Sequence, residues 1–186
     1  MSKKILILKG SPREWGNSAT LADRTADGAR DSGAQVESIH LHGLDIRACD
    51  ACDLCIEIGV NCVIEDAMQP LYPKLLEMDV LVLASPVYWF TYSAQLKLCI
   101  DRWYGLWNNH HEFLRDKPVG IILTYGDTDL QTSGGINAIH TYETMFRFLK
   151  AQIVGTVYGS VSDPGDAQKN PGLMQAAYDL GVELTK

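Results

Sequence analysis

Basic charge is scarce in this sequence of 186 residues, and none of it is concentrated. Lysine and arginine together number 16 against 23 aspartates and glutamates, which gives a formal net charge of −7, and no Lys/Arg run forms a local basic patch. Binding to nucleic acid usually requires such a patch. A nucleic-acid partner is therefore not expected.

Long apolar segments are also missing. The first apolar run, Ile5–Leu8, is shorter than the roughly 7–15 residues of a signal-peptide core, and no small-residue cleavage site follows it. No segment is long enough to span a membrane. We therefore expect a cytoplasmic protein, in a compartment that keeps thiols reduced. Length and a hydrophobic fraction of 46% fit a single domain over residues 1–186, and no linker or repeat divides it.

Three phosphate-binding signatures are absent. The sequence contains no G-x-x-x-x-G-K-[ST] loop and no G-x-G-x-x-G fingerprint. None of its cysteines begins the C-x5-R loop of low-molecular-weight phosphatases. These absences argue against ATP, against a dinucleotide held in the Rossmann manner and against phosphatase chemistry.

Strand and helix patterns alternate along the chain and predict a doubly wound α/β sheet of five parallel strands. The expected strands are Lys4–Lys9, Gln35–Leu41, Asp79–Ser85, Lys117–Thr124 and Ile153–Tyr158. The expected helices are Ser18–Ser32, Ala67–Met78, Ser93–Trp107, Asn137–Leu149 and Gly172–Lys186. An irregular, cysteine-rich insertion occupies about residues 45–66.

The loops that follow strands one, three and four should form the ligand site, because open α/β sheets bind ligands at the carboxyl ends of their strands. The first loop, 10–18, reads GSPREWGNS and carries hydroxyl, amide and arginine donors ahead of a helix N-terminus. It predicts a cradle for a monophosphate such as that of FMN. Ordinary turn and N-cap chemistry is the alternative, since Ser, Asn and Gly favour such positions anyway.

The second loop, 85–93, contains four aromatic residues, Tyr88, Trp89, Phe90 and Tyr92. A planar ligand such as isoalloxazine would give these rings a packing surface. A dimer interface is also rich in aromatics and is a compatible alternative. The third loop, from Thr124 to about Gly135, is long and polar, as functional loops often are, and could contact a flavin edge or admit a nicotinamide.

The most informative motif is C-x2-C-x2-C-x6-C, formed by Cys49, Cys52, Cys55 and Cys62. Two-residue gaps allow successive thiolates to face one point, and soft thiolate ligands favour an iron–sulfur cluster or zinc. Structural zinc usually takes two separated C-x2-C pairs, so a [4Fe-4S] cluster is favoured over zinc. Empty thiols and disulfides are the other interpretations. The fifth cysteine, Cys99, lies in an apolar helical stretch and is expected to be a core residue.

Several of these motifs together resemble the NADPH-dependent FMN reductase family, and within it the iron–sulfur flavoprotein branch. The matching segments are Ser11–Arg13, Gly16–Ser18, the four clustered cysteines, Glu65–Met68, Ser85–Trp89, Ala94–Lys97 and Ile100–Arg102. The resemblance extends over nearly the whole chain. It implies a flavodoxin-like fold with strand order 2-1-3-4-5, non-covalently bound FMN, and a homodimer or homotetramer.

The resemblance also implies roles for individual residues. The FMN phosphate would be held by Ser11, Arg13, Asn17, Ser18 and Thr20. The isoalloxazine ring would be lined by Pro86, Val87, Tyr88, Trp89 and Phe90, and touched on its other side by Thr124, Tyr125 and Gly126. No side chain is expected to act as nucleophile or general acid.

The expected activity is hydride transfer from NAD(P)H to FMN, followed by electron transfer to an acceptor such as a quinone, a free flavin or a ferredoxin-like protein. The [4Fe-4S] cluster would let electrons leave singly. A non-enzymatic, flavodoxin-like electron carrier is the main alternative. An interaction module with an empty pocket is a third.

Overall fold

The computed structural model describes residues 2–186 and contains one central parallel sheet. Its strands lie in the order β2-β1-β3-β5-β6, all parallel to their neighbours. In chain order they are β1 Lys4–Lys9, β2 Gln35–His40, β3 Val80–Tyr88, β4 Thr91–Tyr92, β5 Pro118–Tyr125 and β6 Gln152–Ser160. The short β4 pairs antiparallel with the end of β3. Without it, the order is the flavodoxin-like 2-1-3-4-5, as predicted.

The sheet is covered by helices on both faces, which is why β1, β3 and β5 are nearly continuous Val, Ile and Leu. The helices are α1 Asn17–Asp31, α2 Leu54–Glu57, α3 Leu71–Glu77, α4 Ala94–Asp101, α5 Tyr104–Asn109, α6 Gly135–Phe148 and α7 Pro171–Glu183. Helices α1 and α7 supply the core of one face. Helices α3, α4 and α6 pack on the other, and α5 extends that layer towards the insertion.

Two glycines allow α1 and α7 to approach closely. A Cβ added at Gly28 would lie 2.1 Å from the carbonyl oxygen of Tyr178, and one at Gly181 would lie 2.0 Å from that of Thr25. The helices therefore meet backbone to backbone, and no larger residue fits at either position.

Several elements differ from the sequence prediction, including the insertion, which contains the short helix α2, and three of them lie near the groove or the insertion. The helix expected over Ala67–Met78 begins only at Leu71, because residues 67–70 form turns after the Asp66 side chain accepts the backbone N–H of Met68. The helix expected over Ser93–Trp107 is interrupted after Asp101 and resumes as α5. The strand expected to stop at Ser85 continues to Tyr88 and turns back as β4. Among residues 2–186, no helix has the length and apolarity needed to cross a membrane.

Candidate functional site

The three predicted ligand-binding loops converge on one groove at the carboxyl edge of β1, β3 and β5. Ten of the thirteen residues predicted to contact FMN line this groove. They are Ser11, Arg13, Asn17, Ser18, Pro86, Val87, Tyr88, Thr124, Tyr125 and Gly126. Three further lining residues, Gly16, Val161 and Ser162, were not predicted.

The first loop is folded back so that its polar groups surround the start of α1. The hydroxyl of Ser11 accepts the backbone N–H of Arg13 at 3.0 Å. Gly16 is the N-cap of α1 and offers no side-chain cap, so the first N–H groups of the helix, at Asn17 and Ser18, point out without an intrahelical partner. A Cβ at Gly16 would lie 2.7 Å from Ser11 Oγ, so the turn is as tight as a glycine permits.

The donors around this turn are largely uncommitted. The Ser18 side chain is buried yet makes no hydrogen bond within residues 2–186, and Arg13 is exposed without an ion pair to that part of the chain. An uncapped helix N-terminus with free hydroxyl and guanidinium donors is chemically suited to a phosphate.

The side chain of Asn17 is committed to hydrogen bonds within the protein. Its amide nitrogen donates to the carbonyls of Val161 and Asp163, and its amide oxygen accepts the N–H of Ala167. The side chain is thus used to join α1 to the loop after β6. Only the backbone N–H of Asn17 is available to an anion in the groove.

Two side chains hold the first loop from outside. His40, at the end of β2, donates from Nε2 to the carbonyl of Ser11 at 2.6 Å. Ser93 donates to the carbonyl of Gly10 at 2.6 Å and accepts the N–H of Leu96 as the N-cap of α4. The first loop is therefore held from the end of β2 and from the N-terminus of α4.

The second loop is a two-residue hairpin with an uncommon backbone. Trp89 and Phe90 have φ values of 48° and 69°, so both central residues are left-handed, as the twist of a type I′ turn requires. Asn and Gly normally occupy such positions, since a bulky L-residue there costs roughly 1–2 kcal/mol. Trp89 is 92% exposed. These strained, exposed aromatic residues next to the groove make the hairpin part of the candidate site.

A second cavity continues from the groove beneath this hairpin. It is lined by Val87, Trp89, Phe90, Tyr125, Gly126, Asp127, Thr132 and Ser133. Trp89 and Phe90, absent from the first groove, thus lie next to it. Asp127, Thr132 and Ser133 were not individually predicted, although the length of the third loop indicated a functional segment.

The third loop is organised by one carboxylate. Asp129 accepts the N–H groups of Gln131 and Thr132 and the hydroxyls of Thr128 and Thr132. These hydrogen bonds, above all that of the Thr132 N–H, lower the pKa of Asp129 below its usual value of 3.8. Gly134 then turns the chain at φ +74°, with the Phe90 backbone and ring packed directly above it.

Thr20 is the one predicted FMN contact outside both cavities. It lies one turn into α1, and its hydroxyl is 3.4 Å from the side-chain nitrogen of Gln168. The loop-to-helix pattern indicates which segment surrounds the groove but not how far along the helix the contacts extend.

The four clustered cysteines are all free thiols, with Cys49 and Cys52 exposed and Cys55 and Cys62 half-buried. Burial and, next, the neighbouring Cys62 raise the pKa of the Cys55 thiol, with smaller effects from Cys49 and Cys52. Within residues 2–186, no three Cys, His, Asp or Glu side chains converge on a common point. The donor set is chemically suited to a thiophilic metal, but as described it is open.

Fold and groove together define a flavodoxin-like α/β protein with a groove at the switch point of the sheet. The profile of the NADPH-dependent FMN reductase family matches residues 3–164. The chain belongs to that family and is a flavoprotein oxidoreductase. The resemblance deduced from its motifs is confirmed.

Two relatives and one solved structure illustrate the similarity. An iron-sulfur flavoprotein of Archaeoglobus fulgidus is 36% identical over 124 residues, which are 66% of this chain and 54% of that protein, so the chain spans about half of that relative. An iron-sulfur flavoprotein of Methanocaldococcus jannaschii is 28% identical over 190 residues, covering 98% of this chain and 96% of the relative. The Trp repressor binding protein from Bacillus subtilis superposes with a TM-score of 0.72 at 26% identity, covering 96% of this chain and 99% of that one.

Proposed function

We propose that this chain binds FMN in the groove described above, takes reducing equivalents from NAD(P)H and passes them to a small-molecule or protein acceptor. The observation that supports this most directly is the convergence of ten predicted residues from three separate loops on one groove. When bound, FMN supplies hydride acceptance and onward electron transfer, while the protein supplies binding, orientation and electrostatics.

The phosphate would lie at the start of α1. Ser11 and Ser18 would donate their hydroxyls, Arg13 its guanidinium, and Asn17 its backbone N–H. Thr20 would contribute at most from the edge of this cradle, given its position on the helix. The tight turn at Gly16 allows the backbone to approach the ligand closely.

The flavin ring would lie in the continuation of the groove beneath the aromatic hairpin. Tyr88, Trp89 and Phe90 would supply its apolar cover, with Pro86 and Val87 at its edge. Thr124, Tyr125 and Gly126 would face it from β5, and Thr132 and Ser133 add hydroxyl donors beside it. Burying a planar ring against exposed aromatics is favourable by roughly 0.5–1.5 kcal/mol per aromatic pair beyond the area effect.

Cys49, Cys52, Cys55 and Cys62 would hold an iron–sulfur cluster beside the flavin. Support comes from the four-thiol donor set and from two relatives named iron-sulfur flavoproteins. When bound, the cluster supplies one-electron transfer. Zinc and empty thiols are the competing occupancies. We further propose that the protein is a homodimer or homotetramer located in the cytoplasm. The reducing cytoplasm would keep its cysteines as thiols.

The deciding experiment is anaerobic purification followed by an absorbance spectrum, an iron assay and an FMN titration. We expect stoichiometric FMN binding, and steady NAD(P)H consumption in the presence of a quinone or dye acceptor. Protein that binds no FMN offered in excess would refute the proposal. FMN binding without NAD(P)H consumption would instead assign the flavodoxin-like carrier role.

A matched variant tests the cluster separately. Cys52→Ala should lose its iron and any cluster absorbance while still binding FMN. Cys99→Ala is the control, because that thiol is buried in the core and should leave the iron content unchanged. An unchanged iron content in Cys52→Ala would remove Cys52 from the ligand set.

A further inference from the structure

The cysteine insertion is closed at its base by one buried ion pair. Arg102, just after α4, donates to the carboxylate of Asp66, with 2.6 Å between Nη1 and Oδ2. Both side chains are fully shielded from solvent. Burial alone would raise the pKa of Asp66, but the hydrogen bonds from Arg102, Met68 and Arg47 outweigh it and keep the pKa below its usual value.

The same guanidinium holds both ends of the insertion. It donates to the carbonyl of Arg47 at 2.9 Å and to that of Ile64 at 3.3 Å. Asp66 returns a bond by accepting the N–H of Arg47. Residues 47 and 64–66, which flank the cysteine segment, are therefore joined through Arg102.

A second anchor holds the middle of the insertion against α5. The side-chain nitrogen of Asn109 donates to the carbonyls of Cys55, at 3.0 Å, and Val60, at 2.8 Å. Next to it, a Cβ at Gly105 would lie 1.7 Å from the carbonyl of Asn61, so the insertion rests directly on the helix backbone. Gln69 adds bonds to the carbonyls of Cys62 and Ile64. Residues 54–66, which we call the attached limb of the insertion, are thereby held along their length.

The limb 48–52 has no comparable attachment. Within the described chain, none of its backbone N–H groups donates a hydrogen bond. Ala51 and Asp53 have positive φ values of 53° and 56°, so the chain turns sharply on either side of Cys52. Cys49 and Cys52 lie on this unattached limb and are exposed, whereas Cys55 and Cys62 lie on the attached limb and are half-buried.

We propose that Arg102 and Asn109 are positioning residues, which hold Cys55 and Cys62 as a preformed half of the thiol site, and that the limb bearing Cys49 and Cys52 closes onto that half when a thiophilic metal binds. This inference rests on the proposed metal-binding role of the four cysteines. Fixing two ligands in advance reduces the ordering entropy lost on binding. Leaving the other two free provides a route for the metal to enter.

The first test needs no metal. In metal-free protein, the alkylation rate of each thiol by iodoacetamide is followed by peptide mass spectrometry. Cys49 and Cys52 should react at least tenfold faster than Cys55 and Cys62. Asn109→Ala should raise the rate of Cys55 about tenfold and leave Cys49 unchanged. Asn108→Ala is the matched control, because its side chain bonds only the Tyr104 carbonyl of its own helix.

Arg102 requires a variant that does not leave a buried charge unpaired, since that alone can unfold a protein. The double variant Arg102→Met, Asp66→Asn removes both charges and keeps an oxygen to accept the N–H of Arg47. It should raise the alkylation rate of Cys62 selectively, with FMN affinity unchanged. Equal rates for all four wild-type thiols, or no change at Cys55 in Asn109→Ala, would overturn the inference.

The second test uses Co²⁺ alone and the thiolate-to-cobalt absorption band. Asn109→Ala should weaken Co²⁺ binding about tenfold. Arg102→Lys keeps the positive charge but loses the planar guanidinium with its several donors, so its Co²⁺ affinity should lie between those of the wild type and the double variant. Wild-type protein that shows the unequal alkylation pattern but no cobalt band would refute the metal site and leave the two-limb anchoring intact. A normal band in every variant would refute the positioning roles and leave the metal site intact.

Discussion

Trp89 and Phe90 occupy consecutive left-handed backbone positions, and their rings stack with centroids 6.0 Å apart. The surrounding structure enforces this arrangement, because the carbonyl of Phe90 accepts a bond from Asn137 and its ring and backbone pack against Gly134. The strain is therefore retained at the rim of the groove, where two aromatic faces are kept open to a planar ligand.

Replacing Trp89 with glycine should make the FMN-free protein more stable and at the same time weaken FMN binding. Glycine adopts a positive φ without the steric cost of an L-side chain, so the free energy of unfolding of FMN-free protein should rise by about 1 kcal/mol. FMN affinity should fall about three- to tenfold as a stacking partner is lost. Denaturant unfolding and flavin-fluorescence titration measure the two effects. Phe148→Ala removes an exposed aromatic that packs on Trp107 away from the groove, so it should leave FMN affinity unchanged. A less stable Trp89→Gly would contradict the strain argument.

The turn at Gly16 offers a test of the phosphate cradle. In Gly16→Ala the new methyl would lie 2.7 Å from Ser11 Oγ, so the first loop must shift away from the start of α1. Losing one charge-assisted hydrogen bond costs roughly 1.5–3 kcal/mol, which is at least tenfold in FMN affinity. Riboflavin, which lacks the phosphate, should bind the variant and the wild type alike. Gly172→Ala, where a methyl meets no atom closer than 3.6 Å, is the control. An equal loss for both flavins would show that the cradle does not hold the phosphate.

Asp129 links the third loop to pH. The hydrogen bonds that Asp129 accepts lower its pKa in the folded protein. The stability that these bonds give the third loop is therefore fully present above the ordinary pKa of 3.8 and is lost as the pH falls through the lowered pKa. In the wild type, riboflavin affinity should therefore fall at acid pH. Asp129→Asn should show the same weakened riboflavin binding already at pH 7, and its riboflavin affinity should depend less on pH in the acid range. An unaltered acid limb in the variant would show that the loop is held by other contacts.

Cys99 should differ from the other four thiols in reactivity. Burial above all raises the pKa of its thiol to about 12, so only about one molecule in ten thousand carries the thiolate at pH 8. A thiol reagent should titrate four cysteines in native, metal-free protein and a fifth only after denaturation. Cys99→Ala should leave the native count at four. Five reactive thiols in the native state would indicate that the core around Cys99 opens readily.

The sequence predicted the sheet better than the connections above it. Runs of Val, Ile and Leu located the five parallel strands to within a few residues. A strand that is buried on both faces consists almost entirely of such residues, so its pattern is easily recognised. The Ser85-Pro86 pair suggested a strand end, but β3 continues through it and forms a hairpin whose turn residues are aromatic rather than Asn or Gly. The break between α4 and α5 falls at Arg102, which bonds to Asp66, a contact between residues 36 apart that no local pattern reveals.

The same contrast holds for the site. Residues next to a strand end, such as Ser11 or Tyr125, were identified because the edge of the sheet determines where they lie. Val161 and Ser162 follow the edge strand β6 and carry no phosphate or aromatic signature, so nothing in their sequence indicated the groove. The use of the Asn17 side chain as a structural tie depends on a loop about 150 residues away and is visible only in the folded chain.

That tie has a consequence for how the protein matures. Residue 17 leaves the ribosome long before residues 161–167, and until those arrive the Asn17 amide has none of the three partners that fix the first turn of α1. The nascent chain would thus expose the entrance of the cradle without its supporting wall. Loading of the proposed cofactor would therefore follow the folding of residues 161–167 onto the first turn of α1.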